Sequence, residues 1–521
     1  MSEHEGGQAG SAEELVAEGR RRWTARDLKG ALEAFEAALP ARCNDPGFLF
    51  ELTRLLREMD MHAEALTIYD ALAAALPDAL PILHNRANCL ADLGRPQEAQ
   101  MAFRRLLLRH DDMVLSWAGL GNAAFAAGNP EVGKRAYVRA IALEPERPAS
   151  YINFAEALVI DAVGRDDHAL AVALLRRGIA LVPDDPALRY NLARSLLSLG
   201  QYGEGWAQYE GRLHPNRNYV VRAVACPRWR GEPLAGRHLF VCGEQGIGDQ
   251  LWVLPFVRAA AAAAGRVTLE VAPKLVALVA HSLPEVDVRP LQMEKGDGMW
   301  HAVGASRTGP EGADLFIESG SLPLFLWDTV AGRAEAPVLK PDPQLAARWR
   351  EHLDARGPGL RVGICWRSPL SSRDRSPEYL PLTAWRPIFD ALTRAAGQPV
   401  QVYCFQHGDI DQDVAYARDS MGVEVHRLPG LDLWDDVHGT AAALAGMDLV
   451  VTALTSIARI AAGLGIPALV LTKSQYVVAL SDDGRDPVGP ALEPVAPAPG
   501  RSWPDGVIDE VAARLAARLR G

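Results

Sequence analysis

Two hydrophobic rhythms divide this chain. Up to about residue 213, apolar residues recur at helical spacing in paired segments. Ala31, Ala65 and Ala99 stand 34 residues apart, and Phe35, Tyr69, Phe103 and Tyr137 keep the same period. Beyond 213-LHPNRNY-219 the period shortens. Brief apolar runs, read as buried strands, alternate with helical stretches. The first set is His238–Cys242, Val267–Val271, Val286–Val288 and Leu315–Ile317. The second is Arg361–Trp366, Val400–Cys404, Val423–His426, Leu449–Thr452 and Ala468–Leu471.

A period of 34 with a small residue, an aromatic and a closing proline is that of the tetratricopeptide repeat. Pro77 and Pro145 fall twelve residues after the alanine register and end second helices. The fourth repeat carries the fullest pattern, with Trp117, Leu120 and Gly121, then Tyr137, Ala140 and Pro145. The fifth begins at Tyr151 and closes at Pro183, 38 residues after Pro145, so four residues are inserted, placed around 160–167. The sixth runs from Asp185 to Leu213, with Tyr209 in the aromatic register. The count is about six repeats over residues 11–214, the first and last imperfect. Stacked helix pairs form a concave surface suited to a protein or peptide; self-association is the alternative use.

Strands separated by helices imply parallel sheets. Two open α/β halves are expected, at 227–335 and 345–521, joined through 333-RAEAPVLKPDPQ-344. The stretch 485–500 reads as Pro-rich and irregular, followed by a closing helix at Val507–Leu519. The fold class is therefore α followed by α/β.

A net charge of −11 argues against general binding to nucleic acid or anionic membrane. The six cysteines are scattered, with no Cys-x-x-Cys pair, so neither a disulfide framework nor a zinc site is expected. The acidic N-terminus lacks an apolar h-region, and the longest apolar stretch is too short to span a bilayer. A cytoplasmic location without a membrane span is the expectation.

The densest chemistry lies in 237-RHLFVCGEQGIGDQLWVLPF-256. A strand, a glycine turn and a helix start can present backbone N–H groups to a phosphate or sugar. Asp249 stands at its mouth, either as a general base or as a helix cap. Glu244 is the alternative base, with Gln245, Gly246 and Gly248 completing the loop. In the second half, Thr455 and Ser456 open a helix after a strand and are placed to hold phosphate. Asp409, Asp411 and Asp413 have an Asp-x-Asp look but read as solvated surface, and no metal is expected.

Gly248-Asp249 followed by Pro255 resembles the Gly-Asp-(five residues)-Pro signature of bacterial heptosyltransferases, which are B-type (GT-B) glycosyltransferases. The run 243–249 and the junction residues Trp206, Tyr209, Glu210, Arg212 and 227-PRWRGEPLAGR-237 resemble bacterial tetratricopeptide-repeat glycosyltransferases. The overall plan also resembles the protein O-GlcNAc transferases.

The resemblance implies an inverting, metal-independent transferase that needs no cofactor beyond its nucleotide-sugar substrate. Asp249 would be the base, acting on Ser or Thr of a protein held by the repeats. One subset of the resembling group decorates flagellin with nonulosonic acids, so flagellin is the implied acceptor. Arg367 and Ser368 would meet the donor phosphates, and Gln406 and His407 its base or ribose. Ser368, Ser371, Ser372, Arg373 and Arg375 form a polar, basic loop beside Arg367, with a solvated turn as the alternative for Arg373 and Arg375. Related transferases carry Asp and His where this chain has Leu454 and Arg459. That departure suits a more anionic donor, or a decayed site. The competing readings are a non-enzymatic adaptor with a degenerate GT-B part, and a transferase acting on a lipid-linked glycan.

Overall fold

The computed structural model describes residues 3–161, 164–214, 220–244, 246–296, 299–333, 337–368, 379–472, 485–497, 503 and 505–520. Two compact units are present, one of residues 1–161 and 180–183, the other of 162–179 and 184–521.

In the first unit, helices pair along the chain. First helices run Pro46–Glu58, Leu80–Asp92, Val114–Ala126 and Pro148–Asp161; second helices run Leu28–Arg42, His62–Ala75, Pro96–Leu107 and Pro130–Leu143. Proline sits in the first turn of several, where its missing N–H costs nothing. Ala31, Ala65 and Ala99 are wholly buried, as are Phe35, Tyr69, Phe103 and Tyr137. Gly133 continues the small register. A Cβ there would stand 2.5 Å from the Phe125 ring, so no larger residue fits without displacing it. Tyr137 stacks on Phe154 with centroids 4.9 Å apart.

The helix-to-helix turns also repeat. Asp60, Gly94 and Gly128 take positive φ at 59°, 71° and 74°. Such a backbone lets three residues reverse the chain.

The second unit takes up the register after the insertion. Ala171 and Leu175 are wholly buried, and Gly205 and Tyr209 follow on the helix Tyr202–Tyr209. The helix Arg165–Leu181 has 17 residues and starts six before its small residue, where the other second helices start three before theirs. The helix Pro148–Asp161 has 14 residues where Pro46–Glu58, Leu80–Asp92 and Val114–Ala126 have 13. The four inserted residues thus lengthen helices, not the loop; Ala162 and Val163 themselves lie outside the described residues.

The α/β part carries strands β1 (Val220–Val221), β2 (His238–Cys242), β3 (Arg266–Val271), β4 (Asp287–Pro290), β5 (Met293–Gly296), β6 (Met299–Ala302) and β7 (Leu315–Glu318). It continues with β8 (Leu360–Cys365), β9 (Val400–Cys404), β10 (Val425–His426), β11 (Leu449–Ala453), β12 (Ala468–Leu471) and β13 (Leu492–Val495). β4-β3-β2-β7 and β10-β9-β8-β11-β12-β13 are two parallel sheets, and β1-β6-β5 is a small third. The expected architecture holds at this level: an N-terminal array of stacked helix pairs like tetratricopeptide repeats, then an α/β region with parallel sheets.

The sequence reading missed β13 inside the Pro-rich stretch. As the edge strand it tolerates Pro494, which an inner strand would not. The last helix runs Asp505–Arg520. One apolar core joins Trp206, Trp229, Leu239, Trp327, Leu339 and Leu444, and a second lies around Trp366 and Trp385. No helix among the described residues is long and apolar enough to cross a membrane.

Candidate functional site

β2 delivers the chain to the glycine turn. A Cβ on Gly243 would meet the Glu270 carbonyl oxygen at 2.7 Å, so only glycine lets the turn lie this close to β3. Arg222 supports the turn from below. It donates to the Gly243 carbonyl at 2.7 Å and to Glu270 at 2.7 Å, both side chains being only 3% exposed. Burial raises the Glu270 carboxyl above its ordinary range even against Arg222. The sequence reading missed this pair. The signal was available, since a carboxylate in the middle of an apolar strand demands a partner.

Glu244 is not poised over a ligand. Arg212 grips it with two parallel bonds of 3.0 Å, and the Gly320 N–H donates to it at 2.6 Å. Burial pushes the Glu244 carboxyl up, but Arg212 and Gly320 outweigh it and hold it below the usual carboxylate range. The chain of charges continues: Arg212 donates to Glu210, Arg228 bridges Glu210 and Glu318, and Ser321 accepts from both arginines. The junction motif is therefore an ionic clamp between the last helix pair and the first sheet. Trp206, Trp252 and Trp327 pack beside it, with centroids 5.4 to 6.5 Å apart.

The helix after the turn is Ile247–Trp252, starting two residues before the expected Asp249. Gly246 is its N-cap at φ 94° and Asp249 falls in the first turn. The Asp249 carboxylate folds back over Gly246, where a Cβ would strike it. A carboxylate there is favourably placed beside the helix N-terminus. Arg459 lies against Gly248. Gln245 falls outside the described residues.

In the second half Gln406 is buried, and its side-chain oxygen accepts from the Trp366 and Arg367 N–H groups. Arg367 pairs with Asp413 at 3.0 Å and donates to the Asp409 carbonyl. Ser368 is described; Ser371, Ser372, Arg373 and Arg375 fall outside the described residues. His407 stands edge-on to Trp434, and burial lowers its basicity. Thr455 is the N-cap of the helix Ser456–Gly463, its hydroxyl 3.8 Å from the Cys365 sulfur. Burial pushes that thiol up to about 11, which leaves it un-ionised and unreactive at neutral pH.

Arg459, expected to meet an anionic donor, is ion-paired with the buried Asp486. Asp486 also accepts from the Trp252 indole at 3.2 Å and the Val488 N–H at 2.9 Å. The structure thus spends Glu244, Gln406, Arg367 and Arg459 on holding the protein's own loops.

No protein-family model matches the chain. It is 28% identical over 459 residues to Protein FlbA of Caulobacter vibrioides, covering 86% of this chain and 74% of that protein. Among solved structures it is similar to a tetratricopeptide repeat protein of Parabacteroides merdae, at 19% identity over 39% of this chain and 79% of that one, TM-score 0.34. It is also similar to PilW, a type IV pilus biogenesis factor, at 17% identity over 39% and 93%, TM-score 0.33. A third is the repeat protein TTC0263 of Thermus thermophilus, at 20% identity over 36% and 99%, TM-score 0.31.

The glycosyltransferase expectation is corrected accordingly. The protein this chain is similar to over 86% of its length is FlbA, which is not named as a sugar transferase, and Glu244 and Arg459 are committed to structural ion pairs. With that expectation go Asp249 as a catalytic base, the nucleotide sugar as substrate and flagellin as acceptor.

Proposed function

We propose that this protein is a non-enzymatic adaptor. Its helical repeats hold a segment of a partner protein, and its α/β halves, arranged in the GT-B manner, serve as scaffold. One observation carries the reading: a cavity of about 540 Å³ lined by Trp23, Phe50, Arg54, Arg57, Glu58 and Asn85. These residues come from three helices, Glu3–Thr24, Pro46–Glu58 and Leu80–Asp92. Arg57 is engaged by Asn85 and Asp92, and Glu58 by Trp23 and Arg26. Arg54 lies 5.5 Å over the Trp23 ring and makes no ion pair among the described residues. An aromatic with an available guanidinium is the composition of an interface anchor.

The test is a photo-crosslinking residue placed at Phe50 and, as control, at the exposed Glu36 of a neighbouring second helix. A partner captured from Phe50 and not from Glu36, and lost on Arg54→Glu, supports the reading. Equal capture from both positions defeats it, and capture of a second copy of this chain replaces an adaptor with a self-associating protein. Asp249→Asn should leave the mass of the captured partner unchanged.

A further inference from the structure

We propose that a second cavity, between the helices Leu254–Ala263 and Ser456–Gly463, binds a small amphipathic anion, a carboxylate on an apolar body. Its volume is about 470 Å³, within the range of small-molecule sites. Polarity is graded across it. Leu251, Val338 and Val488, all buried, line the interior, while Arg333 is exposed and Arg258 and Arg459 are half-buried. Among the described residues, three arginines and no carboxylate line this cavity, in a chain whose net charge is −11.

Asp486 neutralises Arg459. Among the described residues, Arg258 donates only to the Pro337 carbonyl, at 3.5 Å, and Arg333 makes no ion pair. Two cationic side chains are therefore uncompensated, among the described residues, beside a buried apolar surface. That arrangement excludes a cationic ligand and gives a purely hydrophilic anion nothing to gain from the interior. Guanidinium groups are matched to a carboxylate by their fork of donors. The cavity adjoins the helix that follows the glycine turn, whose Leu251 and Trp252 line it, and reaches Gly463 and Gly465 at the far end of the helix that Thr455 and Ser456 open.

The experiment uses the full chain with submicellar decanoate, decyltrimethylammonium and inorganic phosphate. Decanoate should raise Tm by about 2–4 °C, because a ligand stabilises only the state that binds it. The other two should raise it by less than half as much. By titration calorimetry, Arg258→Gln and Arg333→Gln should each weaken decanoate binding about five-fold or more, the scale of a lost charge-assisted bond. Ala262→Trp, at an exposed lining position, should abolish it by filling the space. No decanoate shift, an equal shift with the cation or with phosphate, or unchanged affinity in all three variants would overturn the proposal.

Discussion

Arg212 and Glu244 face each other with two parallel bonds, Nε to Oε1 and Nη2 to Oε2, each 3.0 Å. Arg212 closes the repeat array, and Glu244 follows the first long strand of the α/β part. A helix pair and a sheet that share such a bond behave as one structural body, with the Trp206, Trp252 and Trp327 rings excluding water beside it.

Removing one partner strands the other charge. Arg212→Met should destabilise the protein by about 3–5 kcal/mol, the cost of breaking a buried pair from one side. Glu244→Gln should cost less, since it still accepts from Gly320. The Glu244 carboxyl is depressed in the folded protein. Its contribution is therefore complete above the unfolded carboxylate range, about 4.3, and lost as pH falls through the lower folded value. Urea unfolding from pH 7 to pH 3 checks this: the gap between wild type and Glu244→Gln should close at the acid end.

Arg222 and Glu270 are the more deeply buried couple. Arg222→Met should cost about 3–5 kcal/mol, because an unpaired buried carboxylate remains under the glycine turn. Adding Glu270→Met should recover much of that loss, since an apolar pair leaves no buried charge. A double-mutant cycle by chemical denaturation measures the coupling; additive losses would mean the two side chains act independently.

The turn between paired helices needs a left-handed residue. Gly128 has φ 74°, with nothing within 4 Å of the place a Cβ would take. Gly128→Ala should therefore cost about 1–2 kcal/mol from backbone conformation alone. Asp60 already bears that strain at φ 59°, so Asp60→Gly should stabilise by roughly 0.5–1 kcal/mol. Thermal unfolding of the two variants should move Tm in opposite directions.

Tyr137 is wholly buried, stacked on Phe154, with its hydroxyl bonded to Asn122. Tyr137→Ala should cost about 3–5 kcal/mol by leaving a cavity. Tyr137→Phe should cost about 1–2 kcal/mol for the lost bond. Because the residue lies in the first compact unit, hydrogen exchange should quicken there first, with protection in β2 and β8 retained.

The repeat and the strands were legible because their signals are local. A small residue every 34 positions states which helix face is buried, and the apolar runs His238–Cys242, Val400–Cys404 and Ala468–Leu471 coincide with β2, β9 and β12. β13 was not legible. Its Pro494 speaks against a strand, and only its place at the sheet edge removes the objection.

The candidate site was legible only as a set of positions. The sequence by itself determined that a glycine turn follows the strand His238–Cys242 and leads into a helix, that Thr455 and Ser456 open another helix, and that Arg459 follows on it. Tertiary structure alone decided what these groups do. It brought Arg212 to Glu244, Asp486 to Arg459, and Gln406 to the Trp366 and Arg367 amides, across separations of 32, 27, 40 and 39 residues. A local pattern encodes which face of an element is buried. It cannot encode which charge from another element will arrive to neutralise a carboxylate, because that depends on how the sheets and helices pack.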